Sequence, residues 1–300
     1  MIAIGIDIGG TKIAVGLVNE TGSVLAQQSL KTDPDKTPSQ LIAETAQVVN
    51  SLLEQQNIAP ADVKGIGVGA PGPLDAKNGR LDSPPNLPSW HGFGVVEELR
   101  KHFGAWPIHF QNDATAATLA EKWLGAAKDA DNFIFITVST GIGAGIYMHG
   151  RLITGASGNA GDVGYIMVEP GAAGTEGYWE QIASGTAIAR QASELLGRPV
   201  GTKEAFDLAA GGDAQMRELI DVTYKRLGMG CVSLINTLDP ELIVIGGGVS
   251  QIGEPLFDAI RSYVSQHALS PAGRRTAVVP AALSQNAGLI GAASLVHQAY

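Results

Sequence analysis

Apolar and polar positions alternate from the start of the chain. Ile2, Ile4, Ile6 and Ile8 are interleaved with Ala3, Gly5 and Asp7, a period-two pattern that predicts a strand with one strongly apolar face. The opposite face is nearly bare and ends in a carboxylate. Gly9 and Gly10 give a tight turn, Thr11 and Lys12 close it, and the apolar run at 13–18 predicts the returning strand. A third strand is predicted at about 23–30. Over 38–56 the period becomes helical: Leu41, Ile42, Ala46, Val49, Leu52 and Leu53 form one stripe, and Pro38 suits the first turn. Residues 64–70 predict a strand that runs into Pro71-Gly72-Pro73. An ordered loop at 75–90, a helix at 93–103 and a short strand at 107–111 follow. Asn112 and Asp113 then stand at a strand-to-helix junction, both favoured N-cap types. The Ala-rich helix runs to about Gly125.

The next strand, 132–138, leads into Ser139-Thr140-Gly141-Ile142-Gly143-Ala144-Gly145. This repeats the opening, since Ile134, Ile136 and Val138 match Ile4, Ile6 and Ile8. A duplicated strand-turn-strand unit implies two similar α/β domains, each contributing one turn to a shared cleft. Helices are predicted at about 186–196, 203–210 and 213–238. A buried strand at 242–245 opens into Gly246-Gly247-Gly248-Val249, and a last helix spans 288–298. The expected division is an N-terminal domain, 1–114, joined by the C-terminal helix 287–300, and a larger domain, 115–286.

Composition changes this picture little. The 300 residues are 45% hydrophobic and 16% charged, with 39 glycines, so two domains with many close backbone approaches are expected. A net charge of −9 argues against a nucleic-acid surface, although a local site can still hold an anionic nucleotide. The single cysteine, Cys231, permits no intrachain disulfide, in keeping with a reducing cytoplasm, and its place on an apolar helix stripe makes it a core residue. The opening strand leaves no room for a signal peptide, and no apolar run approaches the ~20 residues of a membrane span.

The opening turn can do chemistry. Small residues let a phosphate chain approach the backbone, and the N–H groups of Gly9, Gly10 and Thr11 can cradle it. Lys12 adds a point charge, and Asp7 can hold a hydrated Mg²⁺. The spacing differs from that of a P-loop.

Five motifs in order, DIGGTK at 7–12, GAPGP at 69–73, NDA at 112–114, STGIGAG at 139–145 and GGGV at 246–249, resemble those of the ROK family of bacterial sugar kinases across nearly the whole chain. The resemblance implies an actin-like ATPase (ribonuclease H-like) α/β fold, two duplicated domains around a central cleft that closes on ATP and a sugar. The loop Pro85-Asn86-Leu87-Pro88 resembles the sugar-contacting loop, with Asn86 at the contact position. Some members are repressors with an N-terminal winged helix; no residues precede the first strand here, which favours the kinase branch.

The resemblance also implies roles. Asp113 matches the general base; a helix N-terminus lowers a carboxylate's pKa, so orientation of the hydroxyl, with late proton acceptance, is the expected contribution. Gly72, Asn86, Asn112, Asp162, Tyr165 and Glu180 match sugar contacts, and Glu180 can accept two hydroxyl hydrogens. Gly9, Gly10, Thr11, Lys12, Thr140 and Gly141 match phosphate contacts. Gly246, Gly247 and Gly248 border the adenosine, and Asp7 is expected to hold Mg²⁺ through water.

The sequence departs from the family at its zinc motif. The four ligand positions, one His and three Cys, are Tyr165, Gly171, Ala173 and Tyr178 here, while Gly174, Gly177 and Glu180 keep the framework. No tetrahedral N/S site can form from these residues, so a zinc-free branch is expected, with Tyr178 and Trp179 ordering the segment by packing. Asp162 is one methylene shorter than the family Glu.

The implied activity is ATP- and Mg²⁺-dependent phosphorylation of the 6-hydroxyl of a hexose, with glucose the expected substrate and N-acetylmannosamine, or another hexose or amino sugar, the alternative. A sugar-binding sensor without catalysis is a reading of a different class; Asp7 and Asp113, both retained, speak against it. An actin-like ATPase acting on proteins is a third, opposed by Asn112, Asp113 and Glu180. A cytoplasmic homodimer is expected from the resemblance, without nucleic-acid or membrane partners.

Overall fold

The computed structural model describes residues 1–104, 106–170, 176–283 and 286–298, and the chain divides into two compact units. One comprises Met1–Lys128, Arg151–Ala160 and Leu283–Tyr300; the other comprises Asp129–Gly150 and Gly161–Ala282. The first unit opens with β1 (Ile2–Ile8), β2 (Lys12–Asn19) and β3 (Val24–Lys31), followed by α1 (Pro38–Gln55) and β4 (Val63–Ala70). A small hairpin, β5 (Leu74–Asp75) and β6 (Arg80–Leu81), precedes α2 (Val95–Phe103), β7 (Ile108–Asn112) and α3 (Asp113–Leu124). The sheet order is β3-β2-β1-β4-β7, with β1 antiparallel to β2 and parallel to β4, and β4 parallel to β7. The isoleucine face of β1 is buried with Leu41, Ile42, Val49 and Leu52 of α1. A capping box fixes the start of α1: the Gln40 N–H donates to Thr37 Oγ1 and the Thr37 N–H to Gln40 Oε1.

The second unit repeats this wiring. Its strands β8 (Phe133–Val138) and β9 (Ile142–Met148) form the antiparallel pair; β10 (Arg151–Ile153) begins the segment assigned to the first unit. Then come α4 (Trp179–Ala183), α5 (Gly185–Leu196), α6 (Thr202–Ala210), α7 (Ala214–Leu238), β11 (Leu242–Gly246), α8 (Glu254–His267) and β12 (Ala277–Pro280). Strand β8 is parallel to β11, and β11 to β12. The order β9-β8-β11-β12 thus reproduces β2-β1-β4-β7, and the repeat read from the apolar pattern is a repeat of topology. Two glycines inside α7 have packing reasons. A Cβ at Gly230 would overlap the indole of Trp179, and one at Gly228 would lie 2.7 Å from Cβ of Tyr263. Cys231, on the same helix, is buried, which pushes its thiol pKa up to about 12.

The last element, α9 (Ala287–His297), explains the bare face of β1. It packs on β1, β4 and α3 in the first unit. A Cβ at Gly5 would lie 2.5 Å from the Leu289 carbonyl oxygen, and one at Gly67 would overlap the carbonyl of Ala292. The helix backbone therefore rests directly on the glycines of two neighbouring strands. No described helix is long and apolar enough to cross a membrane.

Candidate active site

In the first unit the candidate side chains stand at the C-terminal ends of parallel strands, where α/β folds carry their sites. The ladder register sets Asp7 opposite Gly69 and Gly69 opposite Gln111, so β1, β4 and β7 end in one row. A Cβ at Gly69 would lie 3.7 Å from Cα of Asp113 and 3.9 Å from Oδ1 of Asp7; the two carboxylate-bearing residues flank the same glycine. Asn112 is the N-cap of α3. Its Oδ1 accepts from the N–H groups of Ala114 (2.9 Å) and Thr115 (3.4 Å). The junction is as expected, but the cap belongs to Asn112 alone. Asp113 already has the first helical position, from which its Oδ1 accepts the Ala114 N–H at 2.7 Å. The cap leaves Asn112 Nδ2 as that side chain's donor.

The turn after β1 is closed by the Gly9 N–H donating to the Lys12 carbonyl (2.9 Å) and by Thr32, whose hydroxyl donates to the Gly9 carbonyl (2.7 Å) and whose N–H donates to that of Thr11 (3.0 Å). Gly10 brings Asn86 against this turn, since a Cβ at Gly10 would lie 3.2 Å from Cβ of Asn86. Gly72 precedes a cis peptide bond to Pro73 in the loop after β4. A cavity of about 310 Å³ is lined by Asp7, Lys12, Gln28, Ser29, Asn286 and Gly288. Burial raises the Asp7 carboxyl pKa above its ordinary value, and the Lys12 charge opposes this. Sequence reasoning found Asp7 and Lys12 but missed Gln28, Ser29, Asn286 and Gly288. The polar run at 27–29 within β3 was the only signal for two of them.

In the second unit, Glu180 organises the turn after β8. Its Oε2 accepts the Ile142 N–H at 2.8 Å. A Cβ at Gly141 would collide with that carboxylate, and one at Gly164 would lie 3.2 Å from Cβ of Glu180. Gly141, Glu180 and the segment Asp162–Tyr165 therefore meet. The Ser139 N–H donates to the Gly141 carbonyl (2.9 Å), and the Gly185 N–H, opening α5, donates to that of Ser139 (2.7 Å). Thr140 lies in this turn, beside a helix N-terminus suited to anions. Gly247 has φ +89°, and a Cβ there would meet the backbone of Val138, with its carbonyl carbon at 2.7 Å. Gly246-Gly247-Gly248 is thereby pressed onto the end of β8. Burial raises the Asp162 carboxyl pKa.

The two tyrosines at the positions that the resemblance matches to zinc ligands pair with each other. The rings of Tyr165 and Tyr178 lie 5.3 Å apart, Tyr178 bridges to Met167, and the Trp179 N–H donates to the Ile166 carbonyl at 2.9 Å. The Trp179 indole is fully buried. Gly171, Ala173 and Gly174 lie outside the described residues.

Comparison with known proteins shows the family. The ROK family model matches residues 3–299. A glucokinase of Thermotoga maritima is 34% identical, covering 98% of this chain and 97% of its own length. A beta-glucoside kinase of Listeria monocytogenes is also 34% identical, covering 95% and 94%. The crystal structure of a ROK family glucokinase from Streptomyces griseus, in complex with glucose and AMPPNP, superposes with a TM-score of 0.82 at 32% identity over the full length of both chains. The chain belongs to the ROK family, and its fold is the actin-like ATPase fold that the motifs implied.

Proposed function

We propose that this protein transfers the γ-phosphoryl group of ATP to the 6-hydroxyl of a hexose, with glucose as the substrate. The observation that carries the reading is the pairing of Asp113, at the first position of α3, with Asp7 across Gly69. In this reading the Asp113 carboxylate serves the sugar and the Asp7 carboxylate the phosphates. Relatives named as glucokinases, one of them crystallised with glucose and AMPPNP, support both substrates.

Phosphoryl transfer needs positioning and charge stabilisation more than covalent participation by the protein. Asp113 would accept a hydrogen bond from the attacking hydroxyl, aim its lone pair, and take the proton as the new P–O bond forms. Asn112, with its oxygen committed to the cap, would donate Nδ2–H to a neighbouring hydroxyl. Gly72, Asn86, Asp162, Tyr165 and Glu180 complete the proposed sugar contacts. The N–H groups of Gly9, Gly10 and Thr11, with Lys12, would hold phosphate oxygens, as would Thr140 and Gly141; Gly246, Gly247 and Gly248 would border the adenosine. A single buried carboxylate, Asp7, fits the habit of Mg²⁺, which binds through one or two carboxylates plus substrate phosphates. Held through water by Asp7, it would offset phosphate charge.

Zinc has no part in this reading, because Tyr165, Gly171, Ala173 and Tyr178 supply neither thiolate nor imidazole. The same reading places the enzyme in the cytoplasm as a homodimer, with the sugar and ATP as its partners. The net charge of −9 favours neither nucleic acid nor an anionic membrane.

The test is ADP release with Mg-ATP against glucose, mannose, fructose, N-acetylglucosamine and N-acetylmannosamine. Turnover that is highest on glucose supports the proposal; turnover confined to N-acetylmannosamine replaces the substrate but keeps the chemistry. Sugar binding without turnover on any of them would favour the sensor.

A further inference from the structure

A second cavity of the first unit, about 400 Å³ in volume, lies between the β5–β6 hairpin and the loop 154–159, a volume within the usual range of small-molecule sites, roughly 300–1,000 Å³. Its lining includes Asp75, Asp82, Gln111, Ser157 and Asn159. Gln111 is only 7% exposed, and its Oε1 makes no hydrogen bond among the described residues. A buried amide oxygen without a partner is costly, and native proteins leave few. Asn159 and Asp75, by contrast, are already engaged. Asn159 Oδ1 accepts the Leu74 N–H at 3.3 Å and its Nδ2 donates to Ser157 Oγ at 3.4 Å, while Asp75 accepts from the backbone and side chain of Asn78. Gln111 is also the residue before Asn112 and Asp113, and it shares the strand-end row of Asp7 and Gly69.

We propose that Gln111 is a sugar-recognition residue, and that the cavity it lines takes a neutral, hydroxyl-rich ring whose O–H donates to Gln111 Oε1. The lining carries two carboxylates, Asp75 and Asp82, against one cation, Lys77, which disfavours an anion and suits hydroxyl donors. The proposal rests on the sugar-kinase reading and deepens it. The ring is that of the phosphorylated hexose or of a second glycosyl unit linked to it; both present the same chemistry.

The experiment compares the wild-type protein with Gln111→Met, which keeps the length of the side chain and removes the acceptor. Glucose and cellobiose are titrated calorimetrically without ATP, and kcat and KM are measured with Mg-ATP. The Met variant is expected to weaken sugar binding about tenfold. Its kcat and KM for ATP should stay within about twofold, and its Tm should not fall, because an orphaned polar atom has been removed. A merely structural role would move Tm and leave sugar affinity alone. Loss for glucose and cellobiose alike assigns the cavity to the hexose ring; loss for cellobiose alone assigns it to the second unit. Unchanged affinity for both overturns the proposal. If the variant does not fold, the crystal structure of the wild-type protein with cellobiose decides: a sugar hydroxyl within hydrogen-bond distance of Gln111 Oε1 supports the assignment, and none overturns it. Wild-type protein that binds sugar without releasing ADP would sink the kinase reading and leave this comparison intact. Wild-type protein that binds no sugar overturns both.

Discussion

The carboxylate of Asp7 leaves Gly288 no room for a methyl group. A Cβ at Gly288 would lie 2.7 Å from Cγ of Asp7 and closer still to Oδ2. The first turn of α9 thus defines where the Asp7 side chain sits, although 281 positions separate the two residues in the sequence.

Gly288→Ala is accordingly expected to reverse the usual gain of about 1 kcal/mol for alanine over glycine in a helix. Displacing Asp7 by a fraction of an ångström should lower kcat by roughly 10- to 100-fold and leave glucose affinity nearly unchanged. Steady-state kinetics with a calorimetric glucose titration would check this; an active, stabilised variant would show that the contact does not fix Asp7.

Asp7 itself should work against stability. Burial raises its pKa above the ordinary 3.8, so the native state binds this proton more tightly than the unfolded chain does. The ionised form therefore burdens the fold fully above the raised native pKa, and the burden fades as pH falls toward the unfolded value. Asp7→Asn is expected to raise Tm by a few degrees at pH 7, to lose that advantage near pH 4, and to lose activity. Calorimetric melts across pH 4–8 give the sign directly. A variant less stable at pH 7 would contradict it.

For Glu180 two substitutions separate structure from recognition. Glu180→Gln keeps an oxygen for the Ile142 N–H, so Tm should hold within about a degree, while the KM for glucose rises about tenfold as a charged acceptor is lost. Glu180→Ala removes the partner of that N–H as well and should lower Tm in addition. Equal effects of both on Tm would refute the hydrogen bond to Ile142 as the organiser of the turn.

Gly247 and Gly197 both have positive φ, +89° and +64°, but nothing lies within 4 Å of a Cβ at Gly197. Gly197→Ala should cost roughly 1–2 kcal/mol, the conformational term alone. Gly247→Ala also meets the Val138 backbone and should cost about 3 kcal/mol or more. Urea denaturation of the two variants provides the comparison, and equal costs would remove the close approach from the explanation.

Much of the fold was legible because its signal is local. The isoleucine alternation of β1, its echo in β8 and the strand-breaking motifs at 71–73, 112–114 and 246–249 all lie within short windows. The missing elements lacked such windows. Strands β5, β6 and β10 are two or three residues long, β12 is four, and α4 is five, too short for periodicity to register. Helix α8 is longer but went unread between glycine-rich stretches. The site divides in the same way. Asp7, Asn112 and Asp113 were visible because turns and strand ends frame them. Gly288 and Gln111 matter through what packs beside them, which only the folded chain specifies: one contact closes over 281 positions and the other depends on a loop at 154–159.

The central claim is that Asp113 orients and deprotonates the attacking hydroxyl, and Asp113→Asn tests it most directly. With Mg-ATP and saturating glucose, the variant is expected to lose roughly 10²- to 10⁴-fold in kcat, while calorimetry shows glucose bound within about threefold of the wild-type affinity. Turnover within tenfold of the wild type, with glucose 6-phosphate as the product, would contradict the account.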